Sequence, residues 1–221
     1  MKSLTTFGLL LVTMFAAPAF SAVVYQTDDS APTPTQYAVE GNGLESLGDQ
    51  VTLGGTERYV TSIDVPLFAG AAYSADLTLT LYLNDGATVS DGLTPDGPRP
   101  STVIGSSSVT NVGFSANQTQ TVTFIFNYLL VPDSFTWALS QDNPGDAGAT
   151  SLEMIDSMLT PLVGSSGTFL WYEIAGVWTD DDSLSDHLRA TINASSVPEP
   201  ATLTLLAVAG GMLLTRRQRS R

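Results

Sequence analysis

The sequence predicts an all-β protein, an antiparallel β-sandwich of jelly-roll-like form with an N-terminal signal helix before it and a C-terminal transmembrane helix after it. Three observations carry this reading. In the middle of the chain apolar side chains recur with a period of two, which lines them along one face of an extended strand. Clusters of Gly, Pro, Ser, Asn and Asp separate these runs and supply turn chemistry. Long uncharged apolar stretches occur at both ends, outside the alternating pattern.

Taken in order, Met1 and Lys2 make a small positive start and residues 4–17 an apolar run, followed by the small-residue sites Ala17-Pro18-Ala19 and Ala19-Phe20-Ser21. This is the layout of a secretory signal peptide over residues 1–21, with cleavage between Ala19 and Ala22. The predicted domain follows over residues 22–195. Its clearest strand is 76–83, where Leu77, Leu79, Leu81 and Leu83 share one face and Thr78, Thr80 and Tyr82 the other, ended by Asn84-Asp85-Gly86. Residues 121–126 repeat the device with Val122, Phe124 and Phe126 inward, and Phe135, Trp137 and Leu139 do so after the Val131-Pro132-Asp133 turn. Further strands are expected at 23–26, 59–68, 102–109, 169–174 and 188–192. Residues 152–162 have room for a helical turn or two, and 28–34 and 193–200 read as connecting segments.

Composition narrows the function classes. All but one of the 22 acids lie within residues 22–195, Glu199 being the exception, and only Arg58, Arg99 and Arg189 oppose them there, with no lysine in that span. Such a domain repels nucleic acid, whose binding needs clustered cations. It also repels anionic lipid surfaces. Without cysteine there is no disulfide framework, so burial alone must hold the domain together.

The tail, residues 196–221, has three parts. Val197, Pro198, Glu199 and Pro200 form a stretch that a helix cannot easily extend through, because each proline lacks an amide hydrogen and restricts the residue before it. Residues 201–215 carry no charge and, at about 1.5 Å per residue, reach only about 22 Å, against a hydrocarbon core of about 30 Å. Arg216, Arg217, Arg219 and Arg221 then hold the end on the cytoplasmic side and lengthen the anchor by snorkelling. This order of motif, short apolar span and terminal arginine cluster resembles the PEP-CTERM sorting signal of Gram-negative bacteria. The resemblance implies an inner-membrane-anchored precursor processed by an exosortase-type enzyme. It further implies delivery to the cell surface, or to the exopolysaccharide matrix of a biofilm.

A looser resemblance covers much of residues 45–195. Leu47-Gly48-Asp49-Gln50-Val51-Thr52-Leu53, Thr61-Ser62-Ile63, the strand ending in Asn84-Asp85-Gly86, Val131-Pro132-Asp133-Ser134-Phe135-Thr136-Trp137 and Val163-Gly164-Ser165-Ser166 are similar to a choice-of-anchor PEP-CTERM ectodomain of type R. It implies a β-rich secreted domain and brings no catalytic residues with it.

The residues themselves point away from an enzyme. His187 is the single histidine and reads as a solvated loop residue; there is no Gly-x-Ser-x-Gly elbow and no cysteine nucleophile. A glycan hydrolase needs only two facing carboxylates, for which Glu173 and the Asp180-Asp181-Asp182 run are the nearest candidates. Calcium is the cation the acid-rich loops would suit, through Asp180, Asp181, Asp182, Asp142 and Asp146, although none fits the EF-hand pattern. Trp171 and Tyr172 should face opposite sides of one strand, Trp137 should be core, and Tyr172 or Trp178 is the expected glycan contact. The sequence therefore predicts a surface-sorted structural or adhesive domain associated with exopolysaccharide, with a calcium-stabilised carbohydrate-binding module as the alternative.

Overall fold

The computed structural model describes residues 21–30, 36–38, 44–88, 98–142, 152–157, 159–181 and 187–196. These residues form thirteen strands and no helix: β1 (Ala22–Gln26), β2 (Gln36–Ala38), β3 (Leu44–Thr52), β4 (Tyr59–Ala69), β5 (Tyr73–Tyr82), β6 (Val103–Phe114), β7 (Gln118–Leu130), β8 (Ser134–Asp142), β9 (Leu152–Ser157), β10 (Ser165–Ile174), β11 (Val177–Asp181), β12 (His187–Leu188) and β13 (Thr191–Ser195). The signal helix, the transmembrane helix, the Val197 to Pro200 motif and the arginine cluster lie outside the described residues. All the described strands fall in one compact unit, Phe20–Val197.

Every pairing is antiparallel, and the strands make two sheets. In the six-stranded sheet the order is β11-β10-β3-β8-β5-β6. In the seven-stranded sheet the order is β1-β13-β4-β9-β12, with β2 on β9 and β7 on β4. The two inner faces share one apolar core, in which Ile63, Val65, Leu67 and Phe124 of one sheet meet Leu77, Leu79, Leu81, Phe135 and Trp137 of the other, all fully buried. This is the arrangement expected of a β-sandwich.

The alternating runs fold as their pattern requires. Leu77, Leu79 and Leu81 of β5 point inward while Thr78, Thr80 and Tyr82 are partly exposed, and Val122, Phe124 and Phe126 of β7 are buried between exposed neighbours. Two expectations are corrected. Residues 152–157 are strand β9 rather than helical turns, because pairing with the end of β4 and with β2 buries Leu152 and Met154. The single strand expected over 188–192 is broken at Arg189 and Ala190, whose backbone bonds to Ile155 and Thr27 hand the chain from β9 across to β4 and β1.

Candidate functional site

The outward face of the six-stranded sheet gathers the aromatic and acidic residues that the sequence singled out. Its construction begins at the β10-β11 hairpin. Ala175 and Gly176 have φ of 52° and 74°, so both central residues are left-handed, as in a type I′ turn, and Ile174 pairs directly with Val177. That register sets Trp178 opposite Glu173 and Asp180 opposite Trp171. Trp171 in turn pairs with Gly48 of β3, which pairs with Ala138 of β8, which pairs with Thr80 of β5.

Small residues at Gly48 and Ala138 make the floor of this face. A Cβ at Gly48 would run into the Trp137 carbonyl oxygen and lie 2.8 Å from the Ala138 Cβ, so only glycine fits there. Trp171 and Trp178 pack against Ala138, and Tyr82 packs against the same group. The Tyr82 and Trp178 rings meet edge to face with centroids 5.2 Å apart, a favoured aromatic geometry. Ser46 donates its hydroxyl to Glu173 Oε2 at 3.0 Å. Burial raises the Tyr82 phenol above its ordinary pKa, the Glu173 charge adds to this, and the Thr80 hydroxyl works the other way.

Beyond the aromatic corner the face is a field of hydroxyls. Thr78 pairs with Ser108 and their hydroxyls are 2.8 Å apart; Thr80 pairs with Ser106; Ser140 donates to the Thr78 carbonyl at 3.3 Å. Thr136 is buried and donates to Asn84 Oδ1 at 2.7 Å. Ser106 and Ser108 are exposed, and Thr78 and Thr80 partly so.

The structure distributes the remaining candidates as follows. Tyr172 is half-buried and packs inward against the sandwich core, and Trp178 keeps only 8% of its surface, so neither offers an open ring face. Asp180 is half-buried in β11 and lies diagonally from Glu173 on the outward face. The side chains of Asp142 and Asp181, and all of Asp146 and Asp182, lie outside the described residues. Among the described residues no group of three His, Asp or Glu side chains could hold a metal ion. His187 is half-buried in β12 and pairs with Ser157, which corrects the solvated-loop reading.

One buried carboxylate escaped sequence reasoning. Asp49 is fully buried on the inward face of β3 and accepts a hydrogen bond from the Leu188 amide at 3.2 Å, tying β12 to β3. Tyr25 shares this interior. Its phenol is pushed far above the ordinary value by burial first and the Asp49 charge second, eased by a 3.1 Å hydrogen bond with Ser166.

The class defined here is an antiparallel two-sheet β protein with a hydroxyl-rich outward face and a packed aromatic corner. No protein-family model matches the chain, and no curated protein does. Among solved structures it is similar to the cysteine protease and lectin-like domains of Cwp84, a surface layer associated protein of Clostridium difficile, with a TM-score of 0.43 and 11% sequence identity. That likeness covers 76% of this chain and 37% of the other.

Proposed function

We propose that the protein is exported, sorted to the cell surface by an exosortase-type enzyme and used there as a structural or adhesive domain in contact with exopolysaccharide. The observation that carries the contact is the row of outward hydroxyls, Thr78, Thr80, Ser106 and Ser108, on a sheet face in a strongly acidic chain. The hydroxyl row itself carries no charge, although Asp76, Glu173 and Asp180 share the face, and it offers a polysaccharide donors and acceptors without the repulsion that the acidic loops would impose on an anionic polymer. The destination rests on the tail: the Val197 to Pro200 motif, the short apolar span and the arginines after it.

Two measurements test this reading. Fractionated cells producing the full chain should hold it at the surface or in the matrix, with an intact mass lacking the residues after the motif. Full-length protein in the cytosol, or surface protein that keeps the arginine cluster, defeats the sorting proposal. Isolated matrix polysaccharide should pull down the processed protein with or without EDTA, and a Thr80→Asp, Ser106→Asp variant should be retained at least about fivefold less, which is a loss of about 1 kcal/mol. Binding that disappears with EDTA transfers the reading to a calcium-stabilised carbohydrate-binding module.

A further inference from the structure

One side of the sandwich is left open by two long edge strands. Among the described residues, β6 has β5 as its sole ladder partner and ends the six-stranded sheet, and β7 has β4 as its sole ladder partner and ends its own branch of the other sheet. The two are consecutive, joined by the turn at 115–117, and they meet across the layers, since a Cβ at Gly105 would lie 2.7 Å from the Leu129 side chain. Both free edges therefore lie along one rim.

Exposed edges carry unpaired amides and carbonyls that invite another strand, and proteins blunt them with short strands, charges, proline or bulges. The other described edges follow that rule. β1 has five residues, β2 three and β12 two, and β11 has five and ends on Asp180 and Asp181. The β6-β7 rim has only bulges, and lacks the other three devices. β6 runs for 12 residues and β7 for 13, and from 101 to 131 the sequence has no Asp, Glu, Lys, Arg, His or Pro. Each strand has a left-handed residue at a register shift, Asn111 with φ 55° and Tyr128 with φ 52°. In β7 that bulge lies in the last third, and Gln118 to Ile125 pair with β4 without interruption. Ile125 and Leu130 stand 67% and 58% exposed on the same strand.

We propose that this rim is a self-association surface, on which the β7 edge pairs antiparallel with β7 of a second copy of this chain. The charge distribution selects the occupant. Outside residues 101–131, acids far outnumber the three arginines of the domain, so two copies approaching by their acidic surfaces bring like charges together. A cationic partner would be drawn to those acidic surfaces, whereas an uncharged edge rewards an equally uncharged strand. A two-fold axis normal to the sheets makes the contact self-complementary. It sets Ile125 and Thr121 of one copy against the outward side chains of its mate, and it brings the two β6 edges toward each other in the second layer. The surface role proposed above does not depend on this pairing.

Sedimentation equilibrium on residues 20–197, the unit that holds every described strand and the core, tests the proposal. The parent should be a monomer-dimer equilibrium that tightens as salt screens the acidic surfaces. Thr121→Lys with Ile125→Lys, both at exposed positions, should weaken the dimer by more than about tenfold. Val177→Lys, on the opposite β11 edge, should leave it unchanged. Hydrogen exchange on the parent adds a readout that needs no variant: β7 amides should gain protection as concentration rises. A parent that stays monomeric up to about 0.5 mM, a dimer indifferent to the paired lysines, one broken by Val177→Lys, or β7 exchange independent of concentration overturns the proposal.

Discussion

Asp85 accepts two hydrogen bonds from one residue, from the Thr102 amide at 3.0 Å and the Thr102 hydroxyl at 2.7 Å. Both favour the ionised carboxyl and hold its pKa below the ordinary 3.8, the hydroxyl contributing most. Since the folded value is the lower one, the contact stabilises the fold above about pH 3.8 and is lost as the pH falls through the folded pKa. A carboxyl NMR titration should therefore place Asp85 below 3.8, with the Thr102 amide losing exchange protection through the same midpoint. Asp85→Asn should abolish that step, and a midpoint at or above 3.8 contradicts the assignment. The turn residue was visible in the sequence as part of Asn84-Asp85-Gly86. Its partner seventeen positions later was not, because the pairing of β5 with β6 creates the contact.

At the scale of elements, local pattern decides most strands and tertiary contact decides the rest. The leucines of β5 and the phenylalanines of β7 announce a strand because each inward position is apolar. Strand β3 hides itself. Its inward set is Leu47, Asp49 and Val51, so the buried carboxylate breaks the alternation in the middle of the strand. The β10-β11 hairpin was hidden for a related reason: alanine is an uncommon occupant of the left-handed position that a type I′ turn demands, at a cost of about 1–2 kcal/mol. Ala175→Asn creates the favoured Asn-Gly pair and should stabilise the domain by about 0.5–1 kcal/mol in urea unfolding. No gain, or a loss, would show that the turn is not held in that geometry in solution.

For the molecule as a whole, the first strand is a fastener between layers. Tyr25 is fully buried in the seven-stranded sheet's β1 and reaches Ser166 in β10 of the other sheet, while the Val24 carbonyl accepts from the Gly54 amide and Gln26 bonds to residues 162 and 163. Tyr25→Ala removes a large buried ring and the inter-sheet bond together, and should cost about 3–5 kcal/mol, read as a fall in the urea midpoint with an unchanged slope. Tyr25→Phe removes only the hydroxyl and should cost about 1 kcal/mol. Equal losses in the two variants would mean that the hydrogen bond, and not the packing, joins the layers. Because β1 pairs with β13 from Ala22 opposite Ala194, the first and last of the described strands lie side by side in one sheet.

The sequence by itself determined the all-β character, the inward faces of the regular strands and the acidic, disulfide-free make-up, because period, turn chemistry and charge are written locally. It also placed Trp137 in the core and Trp171 and Tyr172 on opposite faces. Only the tertiary structure decided which of those two turns inward, that Trp178 is covered by Tyr82, that Asp49 is buried, and that the uncharged run from 101 to 131 supplies two free edges on one rim. These outcomes depend on which strands become neighbours, and antiparallel pairing joins residues more than a hundred positions apart, such as Trp171 and Gly48, through contacts that no local window of the chain contains.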